Sequence, residues 1–311
     1  MNFSYVFGPV RSGRLGLSLG LDLLGAPICT MDCLYCEVGR TRALTARRKA
    51  YVGASDLLAE LAAYRDGGSP TPEYLTLGGM GEPTLNIDMP EIISGARAIY
   101  PGIPVAVLTN ATALTDPEVR RELLAVDVVL PSLDSLVPQE FSTINRPVQG
   151  VTADAVADSL LTFRKEFSGK IFLEILLVQG VNDTQENLTL LSRYIPRLAP
   201  DRVDVCTMTR PGAYSQARPV DADVLAAWRA ALGAVTAPKE HKAAAGRHLS
   251  DEELADHIQS SVLRRPQSVA DLAVALGAEP ERVLRIVERF VAQGGHVMVD
   301  GCLSPANVRE S

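Results

Sequence analysis

Aromatic residues make up only 5% of this 311-residue chain, and no apolar run approaches the roughly 18 uncharged residues that a membrane-spanning helix needs. A bilayer crossing is excluded on that count. Basic residues are also in deficit, 30 Lys and Arg against 37 Asp and Glu, and the resulting charge of −7 argues against a general polyanion-coating role. Contact with nucleic acid would have to be local. The first twenty residues carry Arg11 and Arg14 but no apolar segment followed by a small-residue cleavage site, so a cytoplasmic protein without a secretory signal is expected. Cysteine is scarce and odd in number, five in all, and Cys29, Cys33 and Cys36 lie too close together for a secreted disulfide framework. There is neither an internal repeat nor a low-complexity tract, which leaves solenoids and disordered tails out of account.

What is present is a βα alternation over the first two thirds of the chain. Six strands are expected at Leu15–Leu23, Glu73–Leu77, Pro104–Thr109, Val126–Ser132, Lys170–Val178 and Arg202–Met208, several of them near-continuously apolar as buried parallel strands are. Amphipathic stretches fall between them, several opened by Ser, Thr or Asp able to cap a helix. Six units are too few for the closed eight-stranded barrel, so an α/β fold with a partial barrel or an open doubly wound sheet is expected. Either way, the site lies at the C-terminal ends of the strands.

The pattern changes near Thr236. Residues 1–236 read as the core domain, 237–249 as a linker and 250–311 as a small second domain of three helices followed by a β-hairpin around Asp300-Gly301.

Cys29-Thr-Met-Asp-Cys33-Leu-Tyr-Cys36 places three thiols on one loop after the first strand. Thiolates suit zinc or an iron–sulfur cluster, but structural zinc takes four protein ligands and only three are local. A fourth from Cys206 or a histidine keeps a zinc knuckle open, and three core cysteines without a metal are the plainest alternative. A cubane cluster with one open iron is the remaining reading.

The C-x3-C-x2-C loop with Tyr35 before its last cysteine resembles that of the radical S-adenosylmethionine superfamily. Gly78-Gly79-Met80-Gly81-Glu82-Pro83-Thr84, at the end of the second strand, resembles that superfamily's glycine–glutamate segment. The resemblance implies a partial (β/α)6 barrel, Cys29, Cys33 and Cys36 as ligands of a [4Fe-4S] cluster, and S-adenosyl-L-methionine held by Tyr35, Gly79, Gly81, Glu82, Asn110, Ser132 and Asp134. It also implies an outside electron donor such as flavodoxin or ferredoxin, and a 5′-deoxyadenosyl radical that takes hydrogen from a substrate. That substrate, whether small molecule, peptide or tRNA, is not named by the sequence.

Phe7-Gly8-Pro9-Val10-Arg11-Ser12, Leu15-Gly16, Asn145-Arg146-Pro147 and Val178-Gln179-Gly180-Val181-Asn182-Asp183 resemble the wyosine-synthase-like branch, over roughly Phe7 to Arg218. The chain departs from that branch by lacking cysteines for a second cluster and a singled-out lysine, so its tRNA substrate is not carried over.

Three further features bear on function. Glu174 is an acid in an apolar strand, expected to face the barrel interior, where Arg146 or Arg210 either pairs with it or binds an acidic substrate, a solvated strand-end pair being the plain alternative. Arg40, Arg42, Arg47, Arg48 and Lys49 form a basic run beside the cysteine loop, either a solvated face or a receiver of phosphate or carboxylate. The tail resembles a winged helix-turn-helix, with Arg282, Arg285 and Arg289 on one helical face. Its nine basic and eleven acidic residues after Thr236 weigh against DNA as a partner. All four histidines fall there, without zinc spacing. A cluster-bearing, DNA-binding redox sensor and a zinc-stapled binding protein stay as alternatives to the enzyme.

Overall fold

The computed structural model describes residues 3–234 and 248–306. In chain order the first elements are β1 (Val6–Ser12), β2 (Gly16–Asp22), β3 (Ile28–Cys29), β4 (Ala43–Leu44), α1 (Ala54–Asp66), β5 (Tyr74–Gly78) and α2 (Met89–Ile99). There follow β6 (Val105–Thr109), α3 (Pro117–Leu123), β7 (Val128–Pro131), α4 (Pro138–Asn145), α5 (Ala153–Glu166), β8 (Lys170–Leu177), α6 (Gln185–Leu198), β9 (Arg202–Thr207) and α7 (Ala222–Leu232).

One seven-stranded sheet runs in the order β1-β2-β5-β6-β7-β8-β9, curled into a partial barrel. The six expected strands are its parallel members. β1 was not expected: it pairs antiparallel with β2 at the sheet edge, where Pro9 forfeits no central ladder bond.

Alternation along β8 separates two environments. Ile171, Leu173, Ile175 and Leu177 are buried in the main core against the helices, whereas Phe172, Glu174 and Leu176 are half-buried on the inner face. The inner face has its own apolar floor of Leu15, Ala106, Val128 and Leu130. Helix starts are fixed locally, the Thr152 and Thr184 hydroxyls each accepting a backbone N–H at 3.2 Å.

The remaining elements are α8 (Asp251–Val262), α9 (Val269–Leu276), α10 (Pro280–Ala292) and the antiparallel pair β10 (His296–Val299) and β11 (Cys302–Pro305), turning at Asp300-Gly301 with both φ values positive. Leu254, Ile258, Leu272, Val283 and Ile286 form a separate core there. α8 and α9 lie against β1. Between these helices and the core domain, the Arg264 guanidinium donates to the Asp22 carboxylate at 3.1 Å, with side chains 5% and 0% exposed. His257 stacks on Phe3 and meets Tyr64 edge-on. The linker expected at 237–249 falls largely on residues outside those described, as do His241 and 307–311. Among the described residues, no helix is long and apolar enough to cross a membrane.

Candidate functional site

The cysteine loop leaves the sheet from the C-terminal end of β2 and is clamped on three sides. Ile28 and Cys29 pair in parallel with Ala43 and Leu44. Across the loop, the N–H groups of Asp32 and Leu34 donate to the carbonyls of Asn145 (3.1 Å) and Ile144 (2.9 Å) at the end of α4. Tyr214 N–H closes on Leu34 O at 3.1 Å.

The glycine–glutamate segment is stitched to the same loop. Ile28 N–H donates to Met80 O at 3.0 Å and Glu82 N–H to Ile28 O at 3.1 Å. Gly81 has φ +146°, and a Cβ there would stand 1.8 Å from Ile28 O, so no other residue allows this approach. Gly79, φ +119°, abuts Asp22 in the same way. The residue before the first cysteine therefore fixes the segment meant to hold the sulfonium ligand.

Glu82 is buried, and its carboxylate accepts from Thr84 Oγ1 at 2.6 Å, Thr109 Oγ1 at 2.7 Å and Asn110 N–H at 2.7 Å. Burial pushes its carboxyl above the usual range, against the pull of these donors. Asn110 turns its carboxamide toward the loop, donating to Thr30 Oγ1 at 2.8 Å and to Cys29 Sγ at 3.4 Å. Asp134 is 1% exposed and accepts from Tyr35 Oη at 2.6 Å, Asn145 Nδ2 at 2.7 Å and Leu176 N–H at 2.9 Å. Ser132 continues the β7 ladder, its N–H on Thr109 O, level with Glu174. Of the seven residues expected at the cofactor, Gly81 and Glu82 join the cysteine loop through Ile28, and Tyr35, Asn110 and Asp134 brace that loop, whereas Ser132 contacts only the neighbouring strands.

The three thiols are half-buried and close enough to raise one another's pKa. Burial dominates, taking Cys29 to about 12 and Cys36 to about 11. Asn145 Nδ2 lies 3.5 Å from Cys33 Sγ, so two of the three sulfurs face an amide N–H. Asn145 Oδ1 is buried without a hydrogen-bond partner. Among the described residues, no three Cys, His, Asp or Glu converge as ligands of a single ion would. A cubane instead takes each thiolate at a different iron, so three separated soft donors with amide N–H groups beside the sulfurs fit a [4Fe-4S] cluster. Among the described residues the zinc reading finds no fourth ligand: Cys206 Sγ sits 3.8 Å from Glu174 Oε1 on the inner face, His248 meets Arg282, and His257 and His296 stack on Phe3 and Phe290.

Glu174 does face the interior, but neither Arg146 nor Arg210 pairs with it. Arg14, at the β1–β2 turn, pairs with it, held there by Arg202, which donates to Arg14 O at 3.0 Å. Arg146 instead pairs with Asp32 (3.4 Å), and Arg210 with Glu37 (3.5 Å) and Asp271 (3.3 Å). Spacing reasoning missed Asp22, Thr30 and Asn187, whose partners Met80, Asn110 and Asp134 are remote in sequence. Asn182, inside a quoted motif, carries a role the motif did not reveal: its Nδ2 holds Asp134 O at 2.9 Å.

Comparison with known proteins bears on this geometry. The chain matches the radical SAM superfamily over residues 23–191. It is 29% identical to a Brachyspira hyodysenteriae protein named GTPase Obg, over 97% of this chain and 45% of that protein, and so spans less than half of that relative's length. It is 36% identical to the UPF0026 protein slr1464 of Synechocystis, over 67% of this chain and 77% of the relative. In fold it is similar to a radical SAM methyltransferase from Sphaerobacter thermophilus, with a TM-score of 0.51 at 17% identity, covering 70% of this chain and 63% of that one. Radical SAM proteins use a [4Fe-4S] cluster and S-adenosylmethionine, and the loop, the glycine–glutamate segment and the curled parallel sheet occur here together; the chain belongs to the radical SAM superfamily.

Proposed function

We propose that Cys29, Cys33 and Cys36 hold a [4Fe-4S] cluster, that the Gly79–Glu82 segment holds S-adenosylmethionine beside it, and that the chain abstracts hydrogen from a substrate seated on the inner face of the sheet. The observation that carries this reading is the stitching of Ile28 to Met80 and Glu82, which joins the thiol loop to the ligand segment in one rigid unit. When bound, the pair supplies reductive cleavage of the sulfonium to methionine and a 5′-deoxyadenosyl radical.

The chain's own residues orient and enclose. Glu82, saturated by side-chain and backbone donors, ties the glycine–glutamate segment to the end of β6. Asp134 and Asn145 hold the loop against β8, so the three sulfurs keep their spacing as a ligand arrives. Arg14, Glu174 and Cys206 give the inner face a polar station above an apolar floor, which suits a substrate with both characters.

Membership of the wyosine-synthase-like branch is part of the proposal and rests on the four quoted motifs; without a second cysteine triad, a substrate other than that of the two-cluster enzymes is favoured. The winged-helix reading of the tail and the division at residues 236 and 250 are proposed likewise. The regulator reading is weaker. Of the three arginines meant for DNA, Arg282 is tied to Asp251 and, at 2.6 Å, to Leu249 O, leaving Arg285 and Arg289 exposed beside Glu281 and Glu288.

The test is anaerobic reconstitution, reduction with dithionite and chromatography for 5′-deoxyadenosine from added S-adenosylmethionine. Formation is expected in the native chain and lost in Cys33→Ala, which loses the cluster. Glu82→Ala is expected to keep the cluster and bind S-adenosylmethionine more weakly. A fully loaded, reducible cluster that yields no deoxyadenosine overturns the reading.

A further inference from the structure

Arg40, Arg42, Arg47, Arg48 and Lys49 form a basic run beside the cysteine loop. Residues 38–55 contain five cations and no acid, in a chain whose net charge is −7. Arg48 is committed internally, to Glu122 and to Thr84 O at 2.9 Å. Arg40, Arg42, Arg47 and Lys49 are exposed.

The backbone under them leads directly to the thiols. β4 is not part of the seven-stranded sheet; it pairs with β3, with Leu44 in register with Cys29, and Thr45 N–H donates to Cys29 O at 2.9 Å. Leu44 is 47% exposed, with Ala43 and Ala46 exposed beside it. An exposed apolar stretch flanked in sequence by cations and by no acid is the composition of a protein-docking surface rather than of a solvated face.

Beyond Leu44 the surface dips into a cavity of about 430 Å³ whose far wall is Arg146 to Val151. Its single carboxylate, Asp32, is already engaged: it pairs with Arg146, accepts Tyr214 Oη at 2.5 Å and accepts Thr41 N–H at 2.9 Å. Arg40 and Arg146 both lie over the Tyr214 ring, 4.7 and 4.5 Å from its centroid, which holds two guanidinium groups at this rim.

We propose that this surface, β4 with Arg42, Arg47 and Lys49 and the rim formed by Arg40 and Arg146, docks an acidic one-electron carrier protein. The inference rests on the reading of Cys29, Cys33 and Cys36 as ligands of a reducible cluster. The exchange is one electron: the carrier is oxidised by one, the cluster is reduced by one, and no bond or proton moves. Substrate enters the inner face of the sheet, whereas this ribbon stands outside the sheet against the cluster loop, so a carrier and a substrate need not compete.

The test uses the cluster-loaded chain and flavodoxin as the probe. Affinity for oxidised flavodoxin is measured by calorimetry at low and high salt, for the native chain, for Arg42→Glu/Arg47→Glu/Lys49→Glu, and for a control, Arg285→Glu/Arg289→Glu on α10. The triple variant is expected to lose about tenfold or more in affinity at low salt, the control to match the native chain, and native affinity to weaken with salt. The single variants Arg42→Glu and Lys49→Glu, on exposed side chains, are expected to show smaller losses in the same direction. Deoxyadenosine formation driven by reduced flavodoxin should fall with affinity, while formation driven by dithionite stays unchanged. Unchanged affinity in the triple variant, or an equal fall with both reductants, overturns the proposal. A native chain that binds flavodoxin through this patch yet cleaves nothing with dithionite sinks the functional reading and not the surface.

Discussion

Arg264→Met tests how the C-terminal helices are joined to the cofactor segment. Asp22 is fully buried at the end of β2; its Oδ1 accepts N–H groups from Leu24 (3.1 Å), Gly25 (3.2 Å) and Met80 (3.3 Å), and its Oδ2 takes Arg264 Nε at 3.1 Å. Methionine keeps much of the side-chain volume and removes the charge. Breaking a buried ion pair from one side costs about 3–5 kcal/mol, because the surviving charge stays out of water. Three backbone donors remain on Asp22, so the lower end, about 3 kcal/mol, is expected. In Asp22→Asn/Arg264→Met no orphan charge is left, and the double variant should be at least about 2 kcal/mol more stable than the sum of the singles predicts. Urea unfolding followed by the fluorescence of Trp228, the chain's single tryptophan, reads these differences. Additivity within about 0.5 kcal/mol would refute the coupling. Because Asp22 also holds Met80 N–H, Arg264→Met should weaken S-adenosylmethionine binding at unchanged iron content.

Gly81→Ala and Gly102→Ala both place a Cβ at a positive φ, a strain of about 1–2 kcal/mol, but only at Gly81 does the new Cβ also meet the Ile28 carbonyl, so Gly81→Ala should destabilise the chain by at least about 1 kcal/mol more than Gly102→Ala and alone lower its iron content; urea midpoints and iron assays compare them. Asn145→Ala removes an N–H donor from Cys33 Sγ, and because that donor favours the more negative, reduced cluster, spectroelectrochemistry should find a lower reduction potential. A third expectation concerns His257. Its burial against Phe3 and Tyr64 lowers its pKa, although the Gly8 carbonyl, Asp256 and Glu253 pull the other way. A histidine depressed in the folded state contributes full stability above its unfolded value of about 6.5 and loses it as pH falls below that. Thermal unfolding between pH 7.5 and 5 should therefore show a steeper acid-side fall in the native chain than in His257→Gln.

The six parallel strands were legible because each is a short apolar run bounded by turn residues, a pattern that survives without tertiary information. β1 was not, since Gly8-Pro9 breaks its run and its strand character depends on lying at an edge beside β2. α4 escaped for a different reason: eight residues opened by Pro138 carry too few apolar positions to show a period. The elements of the tail were legible as three helical patterns and the Asp300-Gly301 turn, and the structure adds Ser250 and Ser268 as the caps of α8 and α9. At the site, the thiols and the glycine–glutamate segment announce themselves by spacing. What holds them does not: Arg264 reaches Asp22 from 242 residues away, and Arg14 reaches Glu174 only because the sheet curls β9 back to the β1–β2 turn.

The central claim is that three cysteines hold a cluster whose remaining iron is open to S-adenosylmethionine. Electron paramagnetic resonance of the dithionite-reduced, reconstituted chain, recorded with and without saturating S-adenosylmethionine, tests it directly. The account predicts a cluster signal whose g-values shift when the ligand is added; a cluster signal left unchanged by the ligand would contradict it.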